Sequence, residues 1–278
     1  MFIKNKTGLE LFSQEWPVTQ PKAVVAIIHG QGEHVLRYTH VAQWFNQRGI
    51  ACAGYDQQGF GQSGGKRGHA ANLAAYTNDI ADFLQIQREK YPNVPLFLYG
   101  HSMGGNVSLN YLLRTRPDFL AGAIITGPWI RLAFEAPKIK IVAGKMLRNI
   151  WPSLSLPSEL DTTLLSTDAA VVAAYNADPL VHDRVSAAAG MALLEGAAWL
   201  NTYAGTPPCP LLLMHGGADG ITSAPATKEL AARLTGPVQH IEWPGMYHEI
   251  HNEPEKERVF AEILAFITQT TRVDTHLI

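Results

Sequence analysis

Three residues of this 278-residue chain, of types that together can carry out nucleophilic acyl transfer, occur in the order serine, carboxylate, histidine: Ser102, Asp219 and His248. Ser102 stands in Gly100-His101-Ser102-Met103-Gly104, a G-x-S-x-G corner. Before it comes the apolar run Leu96-Phe97-Leu98-Tyr99, and after it a helical pattern through Val107, Leu109, Tyr111 and Leu112. Strand, tight turn and helix form the context in which such a serine sits exposed at a strained apex. A serine hydroxyl is a poor nucleophile at neutral pH. It needs a base within hydrogen-bond reach, and the base needs a group that orients it. The run ending at His215 leads into Gly216-Gly217-Ala218-Asp219-Gly220, and the run ending at Trp243 leads into Pro244-Gly245-Met246-Tyr247-His248. Each loop therefore places one partner after a strand, which is where this chemistry is assembled in Ser-acid-His order. Competing groups have blander readings. His240 lies inside a strand, His251 lies near the last helix, and Asp161, Asp168 and Asp178 read as loop caps or solvated charges.

An acyl-transfer serine also needs donors for the developing oxyanion, each worth about 3–4 kcal/mol of the barrier. The N–H of Met103, at the start of the helix, is one. His29-Gly30-Gln31-Gly32-Glu33-His34 follows the apolar run Ala23 to Ile28 and offers the backbone N–H of Gln31 as the other. The two histidines of that loop invite a metal reading, but the spacing fits neither H-E-x-x-H nor H-x-x-E-H, and no metal is expected. Gly59-Phe60-Gly61-Gln62-Ser63-Gly64 matches G-x-G-x-x-G, yet Gly65-Lys66-Arg67-Gly68 continues the loop where a dinucleotide site would open a helix. No cofactor is expected.

These residues are positioned by an alternating pattern. Phe2 to Lys4 and Leu9 to Trp16 read as an edge hairpin, Ala23 to Ile28 as a strand covered on both faces, Tyr38 to Arg48 as a helix and Ile50 to Tyr55 as a strand. A helix from Asn72 to Tyr91, the elbow strand and helix, and a short strand from Gly122 to Thr126 follow. The alternation then breaks until Pro210 to His215. It resumes with a helix from Ala224 to Leu234, a strand from Val238 to Trp243 and a last helix from Pro254 to Thr270. This predicts one mostly parallel α/β domain, formed by residues 1–127 and 209–278, with a helical insertion at 128–208 placed as a lid at the ligand-binding edge of the sheet.

A net charge of −2 gives no electrostatic attraction for nucleic acid, and an uncharged or modestly polar substrate fits better. Two cysteines, Cys52 and Cys209, cannot build a disulfide framework. With no signal-peptide pattern at Met1 to Lys6 and no apolar run near 18 residues, a soluble cytoplasmic protein is expected.

With these residues placed, the chain resembles the monoacylglycerol lipase and lysophospholipase family of the α/β-hydrolase fold. Six blocks carry the likeness in order: His29 to His34 with Arg37-Tyr38; Asp56 with Gly59 to Ser63; Gly100 to Gly105; Tyr175-Asn176-Ala177-Asp178-Pro179; Ala218-Asp219; and Tyr247-His248. The resemblance implies a serine hydrolase that releases a fatty acid from a single-chain glyceride under a mobile apolar cap. It also implies that Glu33, Arg37 and His251 lie near the substrate's hydroxyl groups. The alternative for the first two is an ion pair that holds the loop. A general carboxylesterase or a lysophospholipase would use the same machinery, and a catalytically dead binding module would share only the fold. Trp129, Ile130, Leu132, Phe134, Ile139, Ile141, Val142, Met146, Leu147, Ile150 and Trp151 make the insertion unusually apolar, which suits an acyl-chain wall or contact with a membrane or micelle.

Overall fold

The computed structural model describes residues 1–135 and 138–274; residues 136 and 137, within the expected insertion, lie outside them. The apolar runs become strands wherever turn residues bound them. β1 (Phe2–Lys4) and β2 (Glu10–Trp16) form the edge hairpin, turned at Gly8 with φ +83°. β3 (Ala23–Ile28) follows, then α1 (Thr39–Asn46), β4 (Ile50–Tyr55) and α2 (Leu73–Lys90), whose Asn72 cap accepts from Ala75 N–H. β5 (Leu96–His101), α3 (Met103–Thr115) and β6 (Gly122–Thr126) complete the first half. Next come α4 (Lys138–Ile150), β7 (Ser155–Pro157), α5 (Ala169–Ala177), β8 (Arg184–Ser186) and α6 (Ala187–Thr202). The chain closes with β9 (Leu211–Gly216), α7 (Ala224–Arg233), β10 (Val238–Trp243) and α8 (Lys256–Asp274).

Eight strands form one sheet in the order β1-β2-β4-β3-β5-β6-β9-β10, parallel from β4 to β10, with β2 antiparallel to β4. Every residue of β3, β4, β5, β6 and β9 is buried, because helices cover both faces. On one face Val41, Ala42 and Phe45 of α1 pack with Phe260, Ile263 and Ile267 of α8. On the other, Ile80 and Phe83 of α2, Leu109 and Leu112 of α3, Leu193 and Leu200 of α6 and Leu230 of α7 share a second core. Each such buried side chain is worth about 1.5–3 kcal/mol.

The expected insertion is not one separate layer. α6 lies so close to α3 that a Cβ at Gly196 would sit 2.9 Å from Asn106 Oδ1 and 2.9 Å from Asn110 Nδ2. It is the crossover helix between β6 and β9, and parallel neighbours require such a crossover. The described stretch between β6 and Ala187 also reaches this core, where Ile130 is buried and Trp129 and Val185 pack against it. It is not purely helical, since β7 and β8 pair antiparallel.

Candidate active site

The carboxyl ends of β3, β5, β9 and β10 lie along one edge of the sheet, and the four sequence-derived loops follow them. At the elbow Ser102 has φ +55° and ψ −117°, a conformation that a side-chain-bearing residue holds only when its surroundings impose it. The surroundings do so. A Cβ at Gly104 would lie 2.2 Å from the Ile28 carbonyl oxygen, and one at Gly100 would lie 2.7 Å from the Gly104 carbonyl oxygen. Ser102 N–H donates to Thr126 O at 3.0 Å, and Ser102 O accepts from Asn106 N–H at 2.9 Å and Trp129 N–H at 3.1 Å.

Asp219 and His248, 29 residues apart, are brought together: His248 Nδ1 donates to Asp219 Oδ2 at 2.7 Å, and both side chains are buried. Burial alone would raise the Asp219 carboxyl, but His248 and His215 outweigh it and hold the group well below the carboxylate range. For His248, burial disfavours the imidazolium, yet Asp219, with help from Glu249 and Glu33, leaves the net shift upward. His101, beside the serine, packs its ring 4.8 Å from that of His248. Among the described residues Ser102 Oγ is not hydrogen-bonded to His248, a contact that often tightens only once substrate is bound.

The oxyanion loop has its own support. Glu33 Oε1 accepts from Gly30 N–H at 2.6 Å and from Tyr38 Oη at 2.8 Å, and its Oε2 accepts from Arg37 at 2.7 Å. With Gly30 N–H held by Glu33, the next amide, that of Gln31, has no partner among the described residues. The Gln31 side chain instead reaches across to Arg184 O at 2.9 Å. His29 is no ligand. Its Nε2 accepts from Gln57 N–H at 2.8 Å, and burial pushes the ring down to about 4, so it is neutral.

Glu33, Arg37 and His251 were expected at the substrate's hydroxyl end, and the structure places them in a buried network. The Arg37 guanidinium bridges Glu33 and Glu249, reaching the latter with two bonds of 2.6 and 2.8 Å, and it lies over the Tyr175 ring. Glu33 Oε1 already accepts two hydrogen bonds, while Oε2 accepts the one from Arg37. His251 is 0% exposed, stacked on Tyr38 at 4.9 Å and edge-on to His101 at 4.7 Å, and its ring nitrogens have no hydrogen-bond partner. Glu33, His101 and Glu249 bring ligand-type atoms within 4.8 Å of one another, but Arg37 already supplies the counter-charge to both carboxylates.

The other rivals have local duties. Asp161 and Asp168 cap the turn at Thr162–Leu164 and α5, while Asp178 pairs with His34 at 2.9 Å, tying the insertion to the oxyanion loop. The Gly59-to-Gly64 segment closes on itself, with Gly59 N–H donating to Gly64 O at 2.8 Å, and α2 begins only at Leu73.

This arrangement has the groups that nucleophilic acyl transfer needs: a serine at a strained corner, a histidine held by a buried carboxylate, and a backbone amide with no partner among the described residues. The family model described as serine aminopeptidase, S33, matches residues 19–255. The chain belongs to this α/β-hydrolase family. An uncharacterized abhydrolase domain-containing protein of Dictyostelium discoideum is 37% identical over 97% of the chain, which spans only 28% of that protein. A monoacylglycerol lipase of Mycolicibacterium smegmatis is 32% identical over 94% of the chain and 93% of its own length. The crystal structure of a Paleococcus ferrophilus monoacylglycerol lipase, 31% identical, superposes with a TM-score of 0.85 over 94% of this chain and 99% of that one. The resemblance read from the six sequence blocks is borne out, and so is the α/β-hydrolase fold.

Two members of the constellation were not foreseen. His215 donates to Asp219 from behind, and Glu249 anchors Arg37 beside the base. The available signals were a histidine four residues before the acid and a carboxylate directly after the base.

Proposed function

We propose that this α/β-hydrolase cleaves the ester bond of monoacylglycerols to fatty acid and glycerol. Ser102 Oγ attacks the acyl carbon while His248 Nε2 takes its proton, and Asp219 orients the ring and balances the imidazolium. The backbone N–H groups of Gln31 and Met103 receive the oxyanion. As the tetrahedral species collapses, His248 passes the proton to the departing glycerol oxygen and the acyl group remains on Ser102. Water, deprotonated by His248, then releases the fatty acid.

The observation that carries this reading is the Asp219–His248 hydrogen bond beside a strained serine corner. The choice of a one-chain glyceride draws on the lipase relatives and on the insertion above the site. The part of that insertion before Ala187 serves as the cap, and Glu33 and Arg37 hold the oxyanion loop. On α4, Ile139 and Ile150 are 79% and 77% exposed, and Val142 and Met146 lie on the same stripe. Such a stripe suits contact with a lipid aggregate rather than with water. Among the described residues no helix is long and apolar enough to cross a membrane. Two free, buried cysteines fit a cytoplasmic setting.

The test combines a fluorophosphonate probe with a substrate panel. The protein should label, Ser102→Ala should abolish both labelling and hydrolysis without lowering Tm, and monoolein should turn over well ahead of triolein. Labelling that survives Ser102→Ala would remove the nucleophile assignment. Equal rates on monoolein and triolein in matched emulsions would remove the substrate assignment, and faster turnover of lysophosphatidylcholine or short nitrophenyl esters would favour the alternatives.

A further inference from the structure

The acid of the proposed triad has a partner on its far side. Asp219 Oδ1 accepts from the N–H groups of Ile221 at 2.7 Å and Thr222 at 2.9 Å, which fixes the carboxylate in its loop. Its Oδ2 accepts from His248 Nδ1 at 2.7 Å and from Thr222 Oγ1 at 2.9 Å, and it also faces His215 Nε2 at 3.0 Å. His215 stands near the carboxyl end of β9 and is fully buried, and its Nδ1 lies 2.8 Å from Thr227 Oγ1 of α7, also fully buried.

The proton on this ring can be placed by its neighbours. Nε2 faces two groups that only accept, Asp219 Oδ2 and the Thr222 carbonyl oxygen at 3.2 Å, and the Thr222 hydroxyl at 3.3 Å, whose single proton is aimed at the shorter Asp219 Oδ2 and Gly127 O contacts of 2.9 and 3.0 Å. A bare lone pair there would be repelled by the two acceptors, so Nε2 carries the hydrogen. In the neutral ring Nδ1 then accepts from the Thr227 hydroxyl.

We propose that His215 is a positioning residue: by donating Nε2–H to Asp219 Oδ2 it draws charge from the oxygen shared with His248 and so sets the pH at which His248 becomes a base. The proposal rests on the reading of Ser102, His248 and Asp219 as the catalytic set. A line of side chains, Thr227, His215, Asp219 and His248, runs from α7 to the serine loop. The groups that face it can be named from each side. His248 meets Asp219, the ring of His101 and, at longer range, Glu249, Glu33 and His251. His215 meets Asp219, Thr222 and Thr227, with His240 of β10 nearby. Removing the His215 donor leaves Oδ2 more basic, which stabilises the His248 imidazolium. Since catalysis needs the neutral ring, the acid limb of activity must then move to higher pH.

The experiment compares pH profiles of kcat/KM for the wild type, His215→Leu and His215→Gln on one soluble ester. The acid limb should rise by roughly half to one pH unit in His215→Leu, a part of what one lost hydrogen bond to a charged group does directly, because His215 reaches His248 only through Asp219. His215→Gln, whose amide N–H can reach the same oxygen, should bring it back toward wild type. Equal losses of kcat in both variants with unmoved limbs would make His215 a packing residue only and overturn the proposal. If His215→Leu does not fold, nitrogen NMR of histidine-labelled wild type decides: hydrogen on Nε2 is expected, and hydrogen on Nδ1 alone overturns the proposal. Failure here is distinguishable from failure of the catalytic reading, because a wrong triad would also lose fluorophosphonate labelling of Ser102.

Discussion

At the scale of single residues, the base shares its surroundings with a buried ion network. Glu249 follows His248 directly, and burial alone would keep its carboxyl protonated, but Arg37 reverses the sign and holds it low. Through Arg37 the two carboxylates Glu249 and Glu33 are joined, so the loop bearing the base is tied to the loop bearing the Gln31 amide. Arg37→Met would leave both carboxylates buried without their counter-charge, with only neutral donors remaining on Glu33 and Glu249. A loss of roughly 3–5 kcal/mol is expected, read from urea melts, because a broken buried pair leaves an uncompensated charge. Asp219→Asn should cost about 10⁴ in kcat, as removal of the orienting acid does in the best-studied triad. The upward shift of His248 fixes a further sign: its active form is the neutral one, so kcat/KM of the wild type should rise through a pH above histidine's ordinary value of about 6.5. A half-maximal point well below that value would contradict the field described here. The meeting of Asp219 and His248 could be expected from the sequence because each stands in a loop just past a strand, β9 a solid apolar run and β10 an alternating one. The parts played by His215 and Glu249 could not, because their roles come from neighbours that only the fold supplies.

At the scale of elements, the strands fully buried on both faces were legible almost to the residue. Ile50–Tyr55 and Gly122–Thr126 are solid apolar runs with polar or glycine ends, and in a doubly covered sheet that pattern has no competing explanation. The last helix runs further than its pattern, to Asp274, because periodicity fades before the backbone leaves helical geometry. β7 and β8 were illegible. Each has three residues, and what makes them strands is a partner reached only after the chain has passed through α5. α4 was visible as an apolar stretch, but not which side of it faces out. Its outer stripe makes the element-scale prediction. Replacing Ile139 and Ile150 by serine should lower activity on monoolein emulsions several-fold, while leaving a short water-soluble ester unaffected. If both substrates lose equally, the stripe supports the fold and not an interface.

At the scale of the whole molecule, the parallel sheet with one interruption was legible from the alternation, whereas the division of that interruption was not. Only the packing of α6 on α3 separates the crossover from the overhanging part. That division has a mechanical consequence. Ahead of α4, Trp129 N–H is held by Ser102 O, Ser223 N–H by Arg131 O, and Ala133 N–H by Ile221 O. Behind it, Ala188 N–H is held by Pro152 O, Ala187 N–H by Leu154 O, and Ser155 Oγ donates to Arg67 O. Between these two anchorages lies one short helix, about 20 Å long at 1.5 Å per residue, which touches α6 through the Arg148–Glu195 ion pair and where Gly144 faces Met191. If the site opens, it opens as a footbridge pinned at both banks bows, not as a door swings on one hinge. Amides of residues 138–150 should therefore exchange with solvent well before those of 187–202, and exchange at equal rates would mean that the whole overhang moves as one piece.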